Sequence, residues 1–172
     1  MEKFIPDMYQ KNIYDINYDL LKKKGIKCLL FDLDNTIVPV KSDKPNKKIK
    51  EFFAYLERDF KVIIISNSNK KRLIPFKEGL NIDVACSSRK PFKKKYVKIM
   101  KLYNFKDHEI AAIGDQLLTD ILGANRMGIT SILINPIGEY EKFGTKINRF
   151  LEGFIKRSLK KKNILVKGVY YE

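Results

Sequence analysis

The stretch LLFDLDNTIVPV, residues 29–40, runs an apolar segment straight into two carboxylates, Asp32 and Asp34, with one residue between them. Like charges that close are costly unless a cation sits between them or one of them does chemistry. The run before Asp32 lacks the polar alternation of a half-exposed strand and reads as a strand covered on both faces. Extended back, it is IKCLLFD (26–32), and four more runs share its character: KVIIISN (61–67), IDVACSS (82–88), EIAAIGD (109–115) and TSILINP (130–136). Helical segments separate them: NKKIKEFFAYLERD, NKKRLIPFKEGL, PFKKKYVKIMKLYNF with Pro91 in its first turn, and QLLTDILGANRMG closing on Gly128. This alternation predicts an α/β, Rossmann-like fold: a parallel five-stranded sheet with helices on both faces. Such sheets bind ligands at the carboxyl ends of their strands. Asp32, Ser66, Ser87, Ser88, Asp115 and Asn135 all fall at or just past a predicted strand end, so one edge gathers them.

The totals set bounds. At 172 residues, 44% of them hydrophobic, the chain suits one domain with a real core. No apolar run approaches the roughly 20 residues of a membrane-spanning helix, and the start, MEKFIPDMYQ, lacks the layout of a secretory signal. Cys28 and Cys86 sit in apolar stretches without metal-ligand or redox spacing, which predicts buried thiols in a reducing, cytoplasmic setting. The net charge of +15 permits an anionic partner: a phosphorylated substrate, a membrane rich in anionic lipid, or nucleic acid. A composition biased toward Lys, Ile and Asn produces the same excess without any partner, and the charge alone does not choose.

Chemistry resides in a constellation. The first strand ends D-x-D-x-T with Asp32, Asp34 and Thr36; the second ends in Ser66 and Asn67. Lys90 lies just past the third, and the fourth ends in Gly114 and Asp115, with Asp120 five residues on. A lone D-x-D-x-T is weak, since carboxylate pairs also cap helices and turns; all four elements in order on successive strands are not. The pattern resembles the haloacid dehalogenase (HAD) superfamily of phosphohydrolases. GIKCLLFDLDNTIVP, ISNSNKKR, RKP and IGDQLLTDILGANRMG, followed by ILINPI and TKINRFLE, resemble its YqeG-type class IIIA phosphatases, relatives of the mitochondrial phosphatidylglycerophosphate phosphatase.

That resemblance implies a Mg²⁺-dependent phosphomonoester hydrolase. Asp32 is then the nucleophile that forms an aspartyl-phosphate, and Asp34 the general acid and base. Asp32 and Asp115 hold Mg²⁺ with the backbone carbonyl of Asp34, while Asp120 supports that shell or ligates through water. Ser66 binds phosphoryl oxygens, and Lys90 neutralises charge that builds up on them. Asn67 joins Ser66 on the phosphate or instead fixes its loop or caps a helix, and Thr36 has the same alternatives. The resemblance also supplies phosphatidylglycerophosphate, a lipid head group, as the leading substrate. Asp59, Asp83 and Asp107 match no motif position. His108, the single histidine, precedes the fourth strand at the end away from the site.

Many HAD enzymes carry a cap domain over the site; here neither residues 37–45 nor 68–89 leave room for one, which suits a large or surface-presented substrate. The expected organisation is a single domain: an N-terminal helical extension (1–25), a catalytic core (26–137) and a basic amphipathic helix with tail (138–172). In the last, Ile147, Phe150, Leu151, Phe154, Ile155 and Leu159 share one helical stripe, with Lys and Arg opposite. Three readings are open: both terminal segments pack on the sheet as core, they lie peripherally on the inner face of an anionic membrane, or both hold in part, with the basic faces turned to the membrane. In the second, each Lys near the surface is worth on the order of 1 kcal/mol. NILVKGVYYE is a disordered tail or an added strand. Two other functions compete: a phosphatase for soluble, protein or nucleic-acid-end phosphates, and an RNA- or ribosome-binding protein with a vestigial site. The chain shows neither an aromatic RNP signature nor a G-x-x-G clamp, which argues against nucleic acid as partner. Oligomeric state is not legible.

Overall fold

The structure, a computed structural model, describes residues 1–138 and 142–172. Six strands form one sheet: β1 (Met8–Gln10), β2 (Cys28–Phe31), β3 (Lys61–Ile65), β4 (Asp83–Ala85), β5 (Ile110–Gly114) and β6 (Thr130–Ile134). Their spatial order is β1-β6-β5-β2-β3-β4, and every pairing is parallel. The chain leaves β2 toward β3 on one side and later returns to β5 on the other. Connections diverge there, and the divergence opens a crevice at the carboxyl ends of β2 and β5.

Successive side chains of each strand point to opposite faces, and both faces are apolar. Leu29 and Phe31 of β2 join Val62, Ile64, Ala111 and Ile113 on one face, covered by α2 (Lys47–Leu56) and α3 (Lys70–Leu80) through Phe53 and Phe76. Cys28 and Leu30 join Ile63, Ile65, Ile110 and Ala112 on the other, covered by α4 (Lys94–Tyr103) and α5 (Leu122–Met127) through Tyr96, Ile99 and Ala124. Helix starts use the abundant asparagines. The side chains of Asn46 and Asn69 accept N–H groups of Ile49 and Arg72, capping α2 and α3, and Asn17 does the same for α1 (Tyr18–Lys23).

The α/β prediction stands, with one strand added. β1 pairs with β6 at the sheet edge, Met8 opposite Ile132. The N-terminal segment is thus a 3₁₀ turn, a strand and one short helix that bury Met8, Ile13, Ile16 and Leu21, instead of a purely helical extension. Pro91 does not open α4, which begins at Lys94; it stays in the loop that carries Lys90. The tail adds no strand beyond a single antiparallel bridge, Tyr171 to Tyr9. Among the described residues, nothing larger than the loop 32–46 follows β2, and α3 alone links β3 to β4, so neither place holds a cap domain.

The C-terminal segment from 138 departs from the core-packing reading; its residues 139–141 lie outside the described residues. α6 (Phe143–Lys160) turns most of its apolar stripe outward: Phe143, Ile147, Phe150, Leu151 and Phe154 are exposed, while Glu152 and Leu159 are buried.

Candidate active site

The site grows from the end of β2. The backbone N–H of Asp32 donates to the Ile113 carbonyl at 2.9 Å, so the chain passes its first carboxylate onto the switch point while still paired with β5. The next residues fold back at once: the N–H groups of Ile37 and Val38 donate to the Leu33 carbonyl. Asn35 occupies the left-handed region at φ 65°, which Asn tolerates better than most residues. Asp32 and Asp34 therefore face different partners. Lys90 donates to Asp32 Oδ1 at 2.7 Å and to Asp120 Oδ1 at 2.5 Å, all three side chains being buried. Asp34 Oδ1 takes the Arg72 guanidinium through Nε (3.1 Å) and Nη2 (2.8 Å), and its Oδ2 takes Ser68 Oγ (2.8 Å) and Lys142 Nζ (2.5 Å).

Support comes from each neighbouring strand end. Asn67, just past β3, brackets the backbone of Lys90: the Lys90 N–H donates to its Oδ1 at 2.7 Å, and its Nδ2 donates back to the Lys90 carbonyl at 3.2 Å. Its side chain thus fixes the Lys90 loop. Thr36 Oγ1 donates to Asp115 Oδ1 at 3.0 Å, which gives that hydroxyl a supporting place under Asp115. Past β5 the backbone makes a wide π-turn (Leu117–Ile121) that swings Asp120 back over the strand end, where it accepts the Gln116 N–H at 3.1 Å. Only glycine fits below it, because a Cβ on Gly114 would lie 2.2 Å from the Asp120 carboxyl carbon. α6 closes the far side. Arg149 donates to the Asp115 carbonyl at 2.6 Å and pairs with its carboxylate; Glu152, fully buried, holds Arg149 at 3.1 Å and accepts the Leu118 N–H at 3.0 Å.

Asp32, Asp34, Ser66, Asn67 and Lys90 line one pocket of about 420 Å³, together with Lys142, Thr145 and Asn148 from the start of α6. Asp115 and Asp120 join Asp32 at its side: one carboxylate oxygen from each of the three lies within 4.8 Å of the others. The remaining strand-end residues have structural work. Ser88 donates to the Ala85 carbonyl, and Asn135 accepts from Tyr9 and donates to Tyr170. His108 is exposed beside Asp107, away from the site.

Burial pushes the Asp32 carboxyl up to about 7; Lys90 pulls it down, while Asp120 and Asp115 push it further up. Burial likewise raises Asp115 to about 6 against the pull of Arg149. Burial also works against the charge of Asp34, but hydrogen bonds from Lys142, Arg72 and Ser68 outweigh it and hold that carboxyl below its ordinary range. For Lys90 the two aspartates outweigh burial and keep it charged. Among the described residues, the trio Asp32, Asp115 and Asp120 pairs with two cations, Lys90 and Arg149, and Arg149 is shared with Glu152. Three buried carboxylates with uncompensated negative charge form an oxygen-donor set that fits a small, hard divalent cation.

Reading the sequence did not find Ser68, Arg72, Lys142, Arg149 or Glu152. ISNSNKKR contains the first two, but nothing in it distinguishes Arg72 from the lysines before it. Glu152 had a signal: it is the single acidic residue in α6.

The chain matches the model of the family described as mitochondrial PGP phosphatase over residues 1–137. It is 39% identical over 162 residues to "Probable phosphatase YqeG" of Bacillus subtilis, covering 92% of this chain and 93% of that one. It is 24% identical to "Phosphatidylglycerophosphate phosphatase 1, chloroplastic/mitochondrial" of Arabidopsis thaliana, spanning 91% of this chain and 49% of that longer protein. Its fold is similar to a Legionella pneumophila protein described as a member of the HAD superfamily, subfamily III A. That similarity has a TM-score of 0.53 at 20% identity over 71% of this chain and 72% of the other. The motif order, the parallel sheet and the match over most of its length make this chain a YqeG-type phosphatase of the HAD superfamily, a member of the mitochondrial PGP phosphatase family.

Proposed function

We propose that the protein hydrolyses a phosphomonoester through an aspartyl-phosphate on Asp32, with Mg²⁺ bound by Asp32, Asp115 and Asp120 and the backbone of Asp34. The observation that carries this reading is the separation of two carboxylates two residues apart. Asp32 is tied to Lys90 beside the acidic trio, and Asp34 is tied to Arg72, Ser68 and Lys142 on the other side of one pocket. Asp32 attacks phosphorus, the ester oxygen departs with a proton from Asp34, and Asp34 then takes a proton from the water that attacks the phosphoaspartate. Asp34 is ionised in the resting arrangement, so it must take a proton from solvent before the first step, which becomes easier as phosphate draws Lys142 away. Ser66 and the neighbouring N–H groups hold phosphoryl oxygens, and Lys90 offsets their growing charge. A bound Mg²⁺ supplies the positive charge that lets a phosphate dianion approach these carboxylates. Asp32→Asn is expected to lower turnover by on the order of 10⁴-fold or more while leaving the fold intact.

The leading substrate is phosphatidylglycerophosphate, giving phosphatidylglycerol and inorganic phosphate. The family description and the Arabidopsis relative's name support it, and the net charge of +15 and the lack of a cap domain at the two loops agree with it. We place the protein in the cytoplasm with peripheral contact to an anionic membrane face. Among the described residues no helix is long and apolar enough to cross a bilayer. The test offers phosphatidylglycerophosphate in mixed micelles with Mg²⁺ to the wild type and to Asp32→Asn, and measures released phosphate. Release by the wild type alone, stopped by a chelator, is the expected result. Hydrolysis of p-nitrophenyl phosphate without the lipid reaction would keep the chemistry and remove the lipid. Turnover by Asp32→Asn would remove the nucleophile assignment.

A further inference from the structure

We infer that α6 is a membrane-docking helix whose outer face enters the interface of an anionic bilayer while its inner face forms the wall of the active site. The reading deepens the peripheral contact proposed above and is tested without relying on it. A helix at the surface of a globular protein ordinarily buries its apolar stripe and shows its charges to water. α6 departs from this over Phe143–Phe154, although Ile155 packs on the core and Leu159 is buried further along. Its inner face carries Thr145, Asn148, Arg149 and Glu152, occupied with the pocket, Asp115 and Leu118. Its outer face carries Phe143, Ile147, Phe150, Leu151 and Phe154, with Phe143 80% and Phe150 69% exposed. The spacing of these five, three or four residues apart, makes one stripe on one side of the helix. The rings of Phe150 and Phe154 rest on each other, centroids 5.2 Å apart, rather than on the sheet.

The flank of the stripe identifies the occupant. Lys146 and Arg157 lie beside it, one turn from Phe150 and Phe154, and the Arg157 guanidinium sits 6.0 Å from the Phe154 ring. Lys160, Lys161 and Lys162 follow at the carboxyl end, and the single acid of the helix, Glu152, points inward. An apolar face with bulky aromatics bordered by cations matches an interface of acyl chains under anionic head groups. A second copy of this chain would set the same cations against each other. Phe143 also adjoins Lys142 and Gly144 on the pocket wall, so docking brings the rim of the site to the lipid head groups.

The experiment pellets the full chain with sucrose-loaded vesicles of phosphatidylcholine, with and without about 30% phosphatidylglycerol. The wild type is expected to bind the anionic vesicles and to weaken as salt rises. Phe150→Ser/Phe154→Ser should weaken binding by about tenfold or more, with p-nitrophenyl phosphate turnover like that of the wild type as proof of fold. Lys146→Glu/Arg157→Glu should erase the preference for anionic vesicles. A wild type that ignores anionic vesicles overturns the inference, as does an aromatic double variant that binds as well as the wild type. So does a dimer that the aromatic substitutions split without any vesicle binding. Binding of single-stranded RNA in place of vesicles would likewise overturn it. Vesicle binding without lipid hydrolysis would sustain the docking helix and count against the lipid substrate alone.

Discussion

A methyl group on Gly114 would meet the side chain of Asp120 at 2.2–2.5 Å, far inside contact distance. Gly114→Ala must therefore push Asp120 off Lys90 or bend the π-turn. Overpacking of this kind costs about 1–3 kcal/mol. Turnover should fall by on the order of 10²-fold as Lys90 loses its place; chemical melts and aryl phosphate hydrolysis check the two effects, and wild-type turnover would show that Asp120 does not matter. The acidic residues also make stability depend on pH. With divalent cations removed by a chelator, Asp32 holds its proton up to about 7 in the native state, against about 3.9 unfolded. Between those values the unfolded chain binds fewer protons than the folded one, so stability falls as pH rises through that window and levels off above it. Asp115, raised to about 6, acts in the same direction. Asp34 acts oppositely and lower down: its depressed value stabilises the fold above about 4, and that is lost as pH falls through its native value. Urea melts of chelated protein should give a stability lower at about pH 7.5 than at about pH 5 by on the order of a few kcal/mol, and Asp32→Asn should shrink the difference. A difference unchanged by that substitution would put its source elsewhere.

Glu152 on α6 accepts the Leu118 N–H, pairs with Arg149 at 3.1 Å and meets Lys156 at 3.6 Å, all without exposure of its own. Removing it strands a part-buried N–H and part of the pairing of a part-buried guanidinium, so Glu152→Ala should cost about 1–3 kcal/mol. A double-mutant cycle with Arg149→Ala should return a coupling on the order of 1–3 kcal/mol, and additive losses would deny that the pair positions α6 over Asp115. The same helix marks where reading the sequence stopped. Its apolar stripe is plain in the spacing, but periodicity does not say which side faces the sheet when the polar side has ion pairs waiting at the site. β1 was hidden for another reason, since three residues paired along one edge leave no apolar run to see. β2, β3, β5 and β6 were legible because both their faces are covered and Ile, Val, Leu and Ala fill them. Asp32, Asp34, Lys90 and Asp115 were legible through motif order. Arg72, Lys142 and Arg149 were not, because in a chain with 35 Lys and Arg no spacing singles out the ones that reach a carboxylate.

On the scale of the molecule, charge is divided. The chain carries +15 overall, yet the switch point of its sheet collects three buried carboxylates. The strands that bring them together are held by the two cores, so the fold bears the repulsion of the trio whenever only Lys90 and Arg149 oppose it. A divalent cation bound there in the native state and not in the unfolded chain should stabilise the whole domain. At about 100 times its half-saturating concentration the gain is about 2.7 kcal/mol. For a domain of this size that raises the melting temperature by roughly 5–10 °C. General salt effects also act on so cationic a protein, because chloride screens its surface repulsion. The comparison is therefore MgCl₂ against NaCl at equal chloride, with Asp115→Asn as a second control. Magnesium should raise the melting temperature of the wild type well beyond sodium, and the variant should lose most of that excess. If the two salts act alike on the wild type, Lys90 and Arg149 suffice to hold the trio, and the assignment of Asp32, Asp115 and Asp120 as a metal site falls.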